Sequence, residues 1–102
     1  MAFHIEVEVE LSPVFQTICS AKHLSVKLRE DETTGKALLR HLSSVYGEKM
    51  EALLFEKGED EVISGLMVMI NDRIFTGNAL NQKDIPLQDR DKVNLLYFVS
   101  GG

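Results

Sequence analysis

Val93-Asn94-Leu95-Leu96-Tyr97-Phe98-Val99-Ser100-Gly101-Gly102 begins as a strand and finishes as a bare tail. Val93, Leu95, Tyr97 and Val99 alternate with Asn94, Leu96, Phe98 and Ser100, and nearly all are β-branched, aromatic or aliphatic. That pattern predicts an apolar strand interior to a sheet. Gly101 and Gly102 have no Cβ, so they add flexibility and can lie extended where any side chain would clash. A frayed end accounts for a glycine pair taken alone. Hung directly off a core strand, the pair reads instead as a rigid body presenting one carboxylate on a thin arm, with residues 100–102 as a flexible tail.

Upstream, Ile85-Pro86-Leu87 leads into Gln88-Asp89-Arg90-Asp91-Lys92, a tight turn just before the terminal strand. The partner strand is at the other end of the chain. Phe3, Ile5, Val7, Val9 and Leu11 face one way, and His4, Glu6, Glu8 and Glu10 the other, which predicts a half-buried strand with an acidic face. Ser12-Pro13 ends it, because proline cannot donate to a ladder. Residues 14–22 read as a connection with a short helical turn. Leu24, Val26 and Leu28 then alternate with Ser25, Lys27 and Arg29 in a second strand. Paired antiparallel, the two strands set Lys27 and Arg29 across from the Glu6–Glu10 row. Such exposed pairs are worth about 0.2–1 kcal/mol each, so they tune pairing without driving it.

A helix follows, with Thr33 or Thr34 as N-cap and Asp31 and Glu32 near its positive end. Leu38, Leu39, Leu42, Val45 and Tyr46 form its expected buried stripe, and Gly47 stops or bends it. Met50, Leu53, Leu54 and Phe55 predict another helical turn or two. Residues 56–64 (E-K-G-E-D-E-V-I-S) read as a solvated acidic loop. Leu66, Val68 and Ile70 alternate with Met67 and Met69 in a third strand, Asn71-Asp72 signals a turn, and Arg73-Ile74-Phe75 is the return strand. Residues 76–84 read as polar and irregular. No internal repeat, low-complexity segment or linker interrupts the chain.

Strand, strand, helix, strand, short strand, strand, with the most apolar strands first and last, predicts an α+β domain over residues 1–102. Its mixed sheet of four to five strands packs on one main helix, with the first and last strands parallel at the centre. That is the β-grasp (ubiquitin-like) arrangement.

The residues also carry a family resemblance. The run I-P-L-Q-D-R-D-K-V-N-L-L-Y-F-V-S-G-G (Ile85–Gly102) resembles the closing segment of the ubiquitin-like sulfur carriers, such as the molybdopterin synthase small subunit and the thiamin-pathway carrier. That family shows a Pro-Leu step, an Asp-Gly-Asp turn, an apolar strand and a terminal Gly-Gly. The alternating opening strand, T-T-G-K-A-L-L (Thr33–Leu39) and V-M-I-N-D (Val68–Asp72) match as well. Two positions depart from the pattern. Arg90 replaces the turn glycine, which demands another turn geometry or a strained arginine. Tyr97-Phe98 replaces the proline pair of the molybdopterin-type proteins.

The resemblance implies a chemistry. An activating enzyme uses ATP and Mg²⁺ to adenylate the Gly102 carboxylate, and sulfur displaces AMP to leave a thiocarboxylate for a sulfur acceptor. The acceptor implied is an enzyme such as the molybdopterin synthase large subunit, in molybdenum or tungsten cofactor assembly. The protein would be a co-substrate with no catalytic side chains and no bound cofactor. Ser100 and Gly101 would serve as a tail slim enough to enter an enclosed site. Other sulfur acceptors (thiamin, a thiolated tRNA), or a ubiquitin-like modifier joined to lysines through Gly102, remain as alternatives.

The rest of the sequence offers no competing site. Net charge is −5, against the basic footprint of a nucleic-acid or anionic-membrane binder. No apolar run approaches the roughly 20 residues of a membrane span. The start M-A-F-H-I-E lacks the regions of a signal peptide, and the single Cys19 excludes an internal disulfide, so a cytoplasmic location is expected. His4, His23 and His41 are too scattered for a metal. Cys19 beside Ile18 reads as core filler before it reads as a nucleophile. What remains is recognition. Met67, Met69, Phe75, Leu96 and Phe98 exceed what the core faces need, and Leu96, Phe98 and Phe75 are the candidate partner contacts. The acidic residues Glu48, Glu51, Glu56, Glu59, Asp60 and Glu61 read as a solvated face.

Overall fold

The alternation at the start of the chain becomes a strand, β1 (His4–Leu11), with Val7, Val9 and Leu11 buried and no glutamate of the other face buried. The computed structural model describes residues 4–58 and 60–97, with the Tyr97 side chain left out. Phe3, Phe98, Val99, Ser100, Gly101 and Gly102 therefore lie outside the described residues. Ser12-Pro13 ends β1 as expected. Pro13 then opens α1 (Pro13–Cys19), where a missing N–H costs nothing.

The chain continues through β2 (His23–Arg29), a single 3-10 turn (Glu30–Glu32), α2 (Gly35–Tyr46) and α3 (Glu48–Leu54). A hairpin of β3 (Leu66–Ile70) and β4 (Arg73–Thr76) follows, then α4 (Gly77–Gln82) and β5 (Lys92–Tyr97). The five strands lie in the order β2-β1-β5-β3-β4. The two strands at opposite ends of the sequence, β1 and β5, run parallel at the centre, and every other pair is antiparallel. This mixed sheet under helices is the β-grasp fold.

The core forms where the buried faces of all four helices meet one face of the sheet: Phe15, Leu38, Leu39, Leu42, Met50, Leu54 and Leu80 against Val7, Val9, Leu28, Leu66, Val68, Val93 and Leu95. Thr34, not Thr33, caps α2 by accepting from the Ala37 N–H at 3.2 Å. The Ile85–Leu87 segment crosses that helix start: the Gly35 N–H donates to the Ile85 carbonyl (2.8 Å) and the Leu87 N–H to the Thr33 carbonyl (2.6 Å). Gly47, at φ +86°, divides α2 from α3.

Three expectations fail, each for a physical reason. Val45, assigned to the buried stripe of α2, is 59% exposed, because it lies at the margin beside the edge strand β2 where no further strand covers it. The acidic 56–64 stretch is not wholly solvated. Val62 is buried, bridges to Phe55, and is clasped by Asn81, which accepts from the Val62 N–H (2.8 Å) and donates to its carbonyl (3.0 Å). Residues 76–84 are not irregular either: Thr76 caps α4 by accepting from the Ala79 N–H, and Leu80 enters the core. A six-residue helix is too short to show a period in sequence.

Candidate functional site

β5 is held on both flanks and pinned at its start. The Asn71 N–H donates to the Lys92 carbonyl (2.7 Å), and the Lys92 N–H donates back to Asn71 Oδ1 (3.1 Å). Asn71 Nδ2 also donates to Asp91 Oδ1 (3.1 Å). Asn71 takes the positive φ, +57°, that lets the two-residue turn between β3 and β4 close. The Gln88–Asp91 turn clamps the other flank. There the Glu6 N–H donates to Asp89 Oδ1 (2.8 Å), and the Arg90 N–H donates to the Glu6 carbonyl (2.7 Å). Arg90 does sit in the left-handed region, at φ +71°, so the turn keeps the geometry a glycine would favour and strains the arginine.

At its far end, β5 runs between the start of α1, where the Ser12 N–H donates to the Leu95 carbonyl (3.2 Å), and the start of β3, where Leu66 is opposite Tyr97. Of the expected site residues, Gly102, Gly101, Ser100 and Phe98 lie outside the described residues.

Leu96 is where alternation puts it, on the sheet face away from the helices. Among the described residues no side chain on that face is buried. Leu96 is directly opposite Met67, while Met69 is opposite both Asn94 and Ile74. Met67, Met69 and Leu96 are half-buried and Ile74 is 54% exposed, so the half of the face next to the tail is apolar. The other half is charged: Glu6 is opposite Lys27, Glu10 opposite His23, and Glu8 accepts from the Ser25 hydroxyl at 2.8 Å.

Phe75 does not join this patch. It is opposite Val68, and a directly opposed pair shares a face, so Phe75 packs half-buried on the helix side. There it lines a cavity of about 450 Å³ with Ile70, Ile85 and Pro86. Ile74 takes the open-face position instead. The two-residue Asn71-Asp72 loop fixes that register, and counting outward from it would have separated Ile74 from Phe75.

Burial raises the Cys19 thiol above its ordinary range, outweighing the opposing hydrogen bond with Tyr46, so at neutral pH it is a thiol, the weaker nucleophile. Among the described residues no group of three or more His, Cys, Asp or Glu side chains is placed to hold a metal. Among them, too, no helix is long and apolar enough to cross a membrane.

The sequence profile of the ThiS family matches residues 14–102, which include both the Pro86-Leu87 step and the terminal glycines. The chain belongs to the ThiS family. It is a member of the ubiquitin-like sulfur carriers and modifiers. Among solved structures, the Haloferax volcanii HVO 2177 protein is similar at 25% identity and TM-score 0.75, covering 97% of this chain and 88% of that one. SAMP1 from Haloferax volcanii shares 18% identity with TM-score 0.74 over 95% of this chain and 99% of its own. A Pyrococcus furiosus protein described as molybdopterin converting factor, subunit 1, shares 21% with TM-score 0.69 over 93% and 99%. The latter two likenesses concern the fold. No curated protein matches the chain.

Proposed function

We propose that this ThiS-family protein is a sulfur carrier whose reacting group is the Gly102 carboxylate. The carboxylate attacks the α-phosphate of ATP in a Mg²⁺-dependent activating enzyme, forming an acyl adenylate and releasing pyrophosphate. A sulfur nucleophile then displaces AMP and leaves a thiocarboxylate. A carboxylate is a poor electrophile and a poor sulfur donor; the adenylate corrects the first defect and the thiocarboxylate the second. The observation carrying this reading is the family match that runs through Gly102, joined to a strand, β5, hydrogen-bonded on both sides at the sheet centre. A strand so held gives its tail a fixed origin. Sulfur is delivered to an acceptor enzyme such as a molybdopterin synthase large subunit.

Both enzymes meet the same tail in turn, so both grip the surface at its root, where Leu96, Met67 and Met69 form an apolar anchor. Intact-mass measurement of the protein from its native host tests the chemistry. A terminal oxygen-for-sulfur exchange is expected. An isopeptide between Gly102 and a lysine would make the protein a modifier, and neither species under sulfur-replete conditions would reject the carrier. Deleting Gly102, or adding one residue after it, should abolish pyrophosphate exchange and leave thermal melting unchanged, since a reacting atom tolerates roughly 1 Å of misplacement. Leu96→Asp should weaken binding to both enzymes by about a hundredfold, because it strands a carboxylate at an apolar interface. A folded mutant with undiminished affinity would refute the anchor.

A further inference from the structure

Strand β2 ends the sheet, and its outer edge is open. The Leu11 N–H donates to the Lys22 carbonyl (3.0 Å), and the β1–β2 register continues from that pair. In an antiparallel ladder, alternate residues turn their backbone groups toward the neighbour. Leu24, Val26 and Leu28 therefore hydrogen-bond to β1. Ser25 and Lys27 point their N–H and C=O groups outward, and among the described residues no strand pairs with them. Beside this edge runs a groove of about 440 Å³ between β2 and α2, lined by Leu24, Val26, Lys27 and Glu6 of the strands and by His41, Leu42, Val45 and Tyr46 of α2. Exposed Val45 forms its outer lip.

We propose that this edge takes up an extended segment of a partner protein in which acidic and apolar residues alternate. The chemistry of the occupant is written on the strand β2 already binds. β1 lays Glu6, Glu8 and Glu10 opposite Lys27, Ser25 and His23 on the open face and Val7 and Val9 against Val26 and Leu24 on the other. A strand of the same pattern on the free edge sets carboxylates beside His23 and Lys27 and drops its apolar side chains into the groove. Its backbone meets the free groups of Ser25 and Lys27, as in other strand additions. Pairing with a second copy is disfavoured by charge: β2 against β2, antiparallel about Val26, opposes Arg29 to His23 and places no acid across from Lys27. An edge lysine alone is a guard against pairing.

The inference is independent of the fate of Gly102. The probe is the capped peptide acetyl-Ile-Glu-Val-Glu-Val-Glu-Leu-amide, the sequence of residues 5–11, titrated into the isotope-labelled full chain at low salt. Amide shifts are expected at Ser25, Lys27 and the Leu42–Tyr46 turn, and a peptide with lysines for glutamates should give none. Ser25→Pro, a substitution edge strands accept, removes an outward N–H and leaves the backbone ladder to β1 intact, losing only the exposed hydrogen bond from the Ser25 hydroxyl to Glu8. Val45→Asp charges the groove lip at an exposed position. Each should weaken binding by about tenfold or more. Should Ser25→Pro unfold the chain, Val45→Asp alone carries the test. Absence of shifts, shifts centred on Met67, Met69 and Leu96, equal response to the lysine peptide, or self-association by sedimentation without peptide would each overturn the proposal.

Discussion

The two faces of the sheet are made by the same five strands and the same alternation, yet they do opposite things. On one, Val7, Val9, Val68, Val93 and Leu95 are sealed by four helices. On the other, Met67, Met69, Ile74 and Leu96 stand beside a charged half with none of them buried. Successive residues Leu95 and Leu96 have the same chemistry and separate fates. Position relative to the crossover helix α2, not hydrophobicity, sets what each leucine does. One stabilises the fold, and its neighbour is left on the open face.

The sharpest way to break this comparison is to truncate both leucines. Leu95→Ala should cost about 2–5 kcal/mol in denaturant unfolding, through lost burial and a residual cavity. Leu96→Ala should cost below about 1 kcal/mol, since little apolar surface is withdrawn from water there. Equal losses would mean that the second face is covered after all.

Gly77→Ala tests how tightly the helix side is closed. A Cβ there would collide with the Ile63 carbonyl, and backbone cannot swing away as a side chain can. About 1–3 kcal/mol of destabilisation is expected from this overpacking. The clamp at the start of β5 gives a smaller effect of opposite sign. The left-handed backbone of Arg90 costs about 1–2 kcal/mol. Glycine there relieves the cost but frees the unfolded chain by about 0.4–1 kcal/mol. Arg90→Gly should therefore stabilise by about 0.5–1 kcal/mol in thermal melts, with no change at the open face.

The smallest effect concerns the outer surface of the helix layer, where Arg40 on α2 holds Asp60 of the acidic loop and stacks over the Phe55 ring at 4.1 Å. That hydrogen bond lowers the Asp60 carboxyl below its usual 3.8. A depressed folded value stabilises above the unfolded one, and the gain disappears as pH falls through the lower value. Arg40→Ala should return the Asp60 titration, followed by NMR, toward 3.8.

Much of this was legible in the chain. The period-2 patterns of residues 3–11 and 93–99 announced two apolar strands, and their places first and last, with a helix between, implied a parallel central pair. The Pro86-Leu87 step and the terminal glycines pointed to the family. α4 was not legible, because six residues hold fewer than two turns and Leu80 is its one buried apolar side chain. Val62 looked like a stray valine among acids until Asn81, distant in sequence, clasped its backbone.

Local sequence, through alternation and turn chemistry, determined which residues of each strand share a face. It could not say which face the helices would cover at the sheet margins, because that depends on how far α2 reaches across strands brought together from both ends of the chain. Tertiary structure alone therefore left Val45 exposed beside β2. It also decided that the face carrying Val68 and Phe75, and not the one carrying Met69 and Ile74, meets the helices.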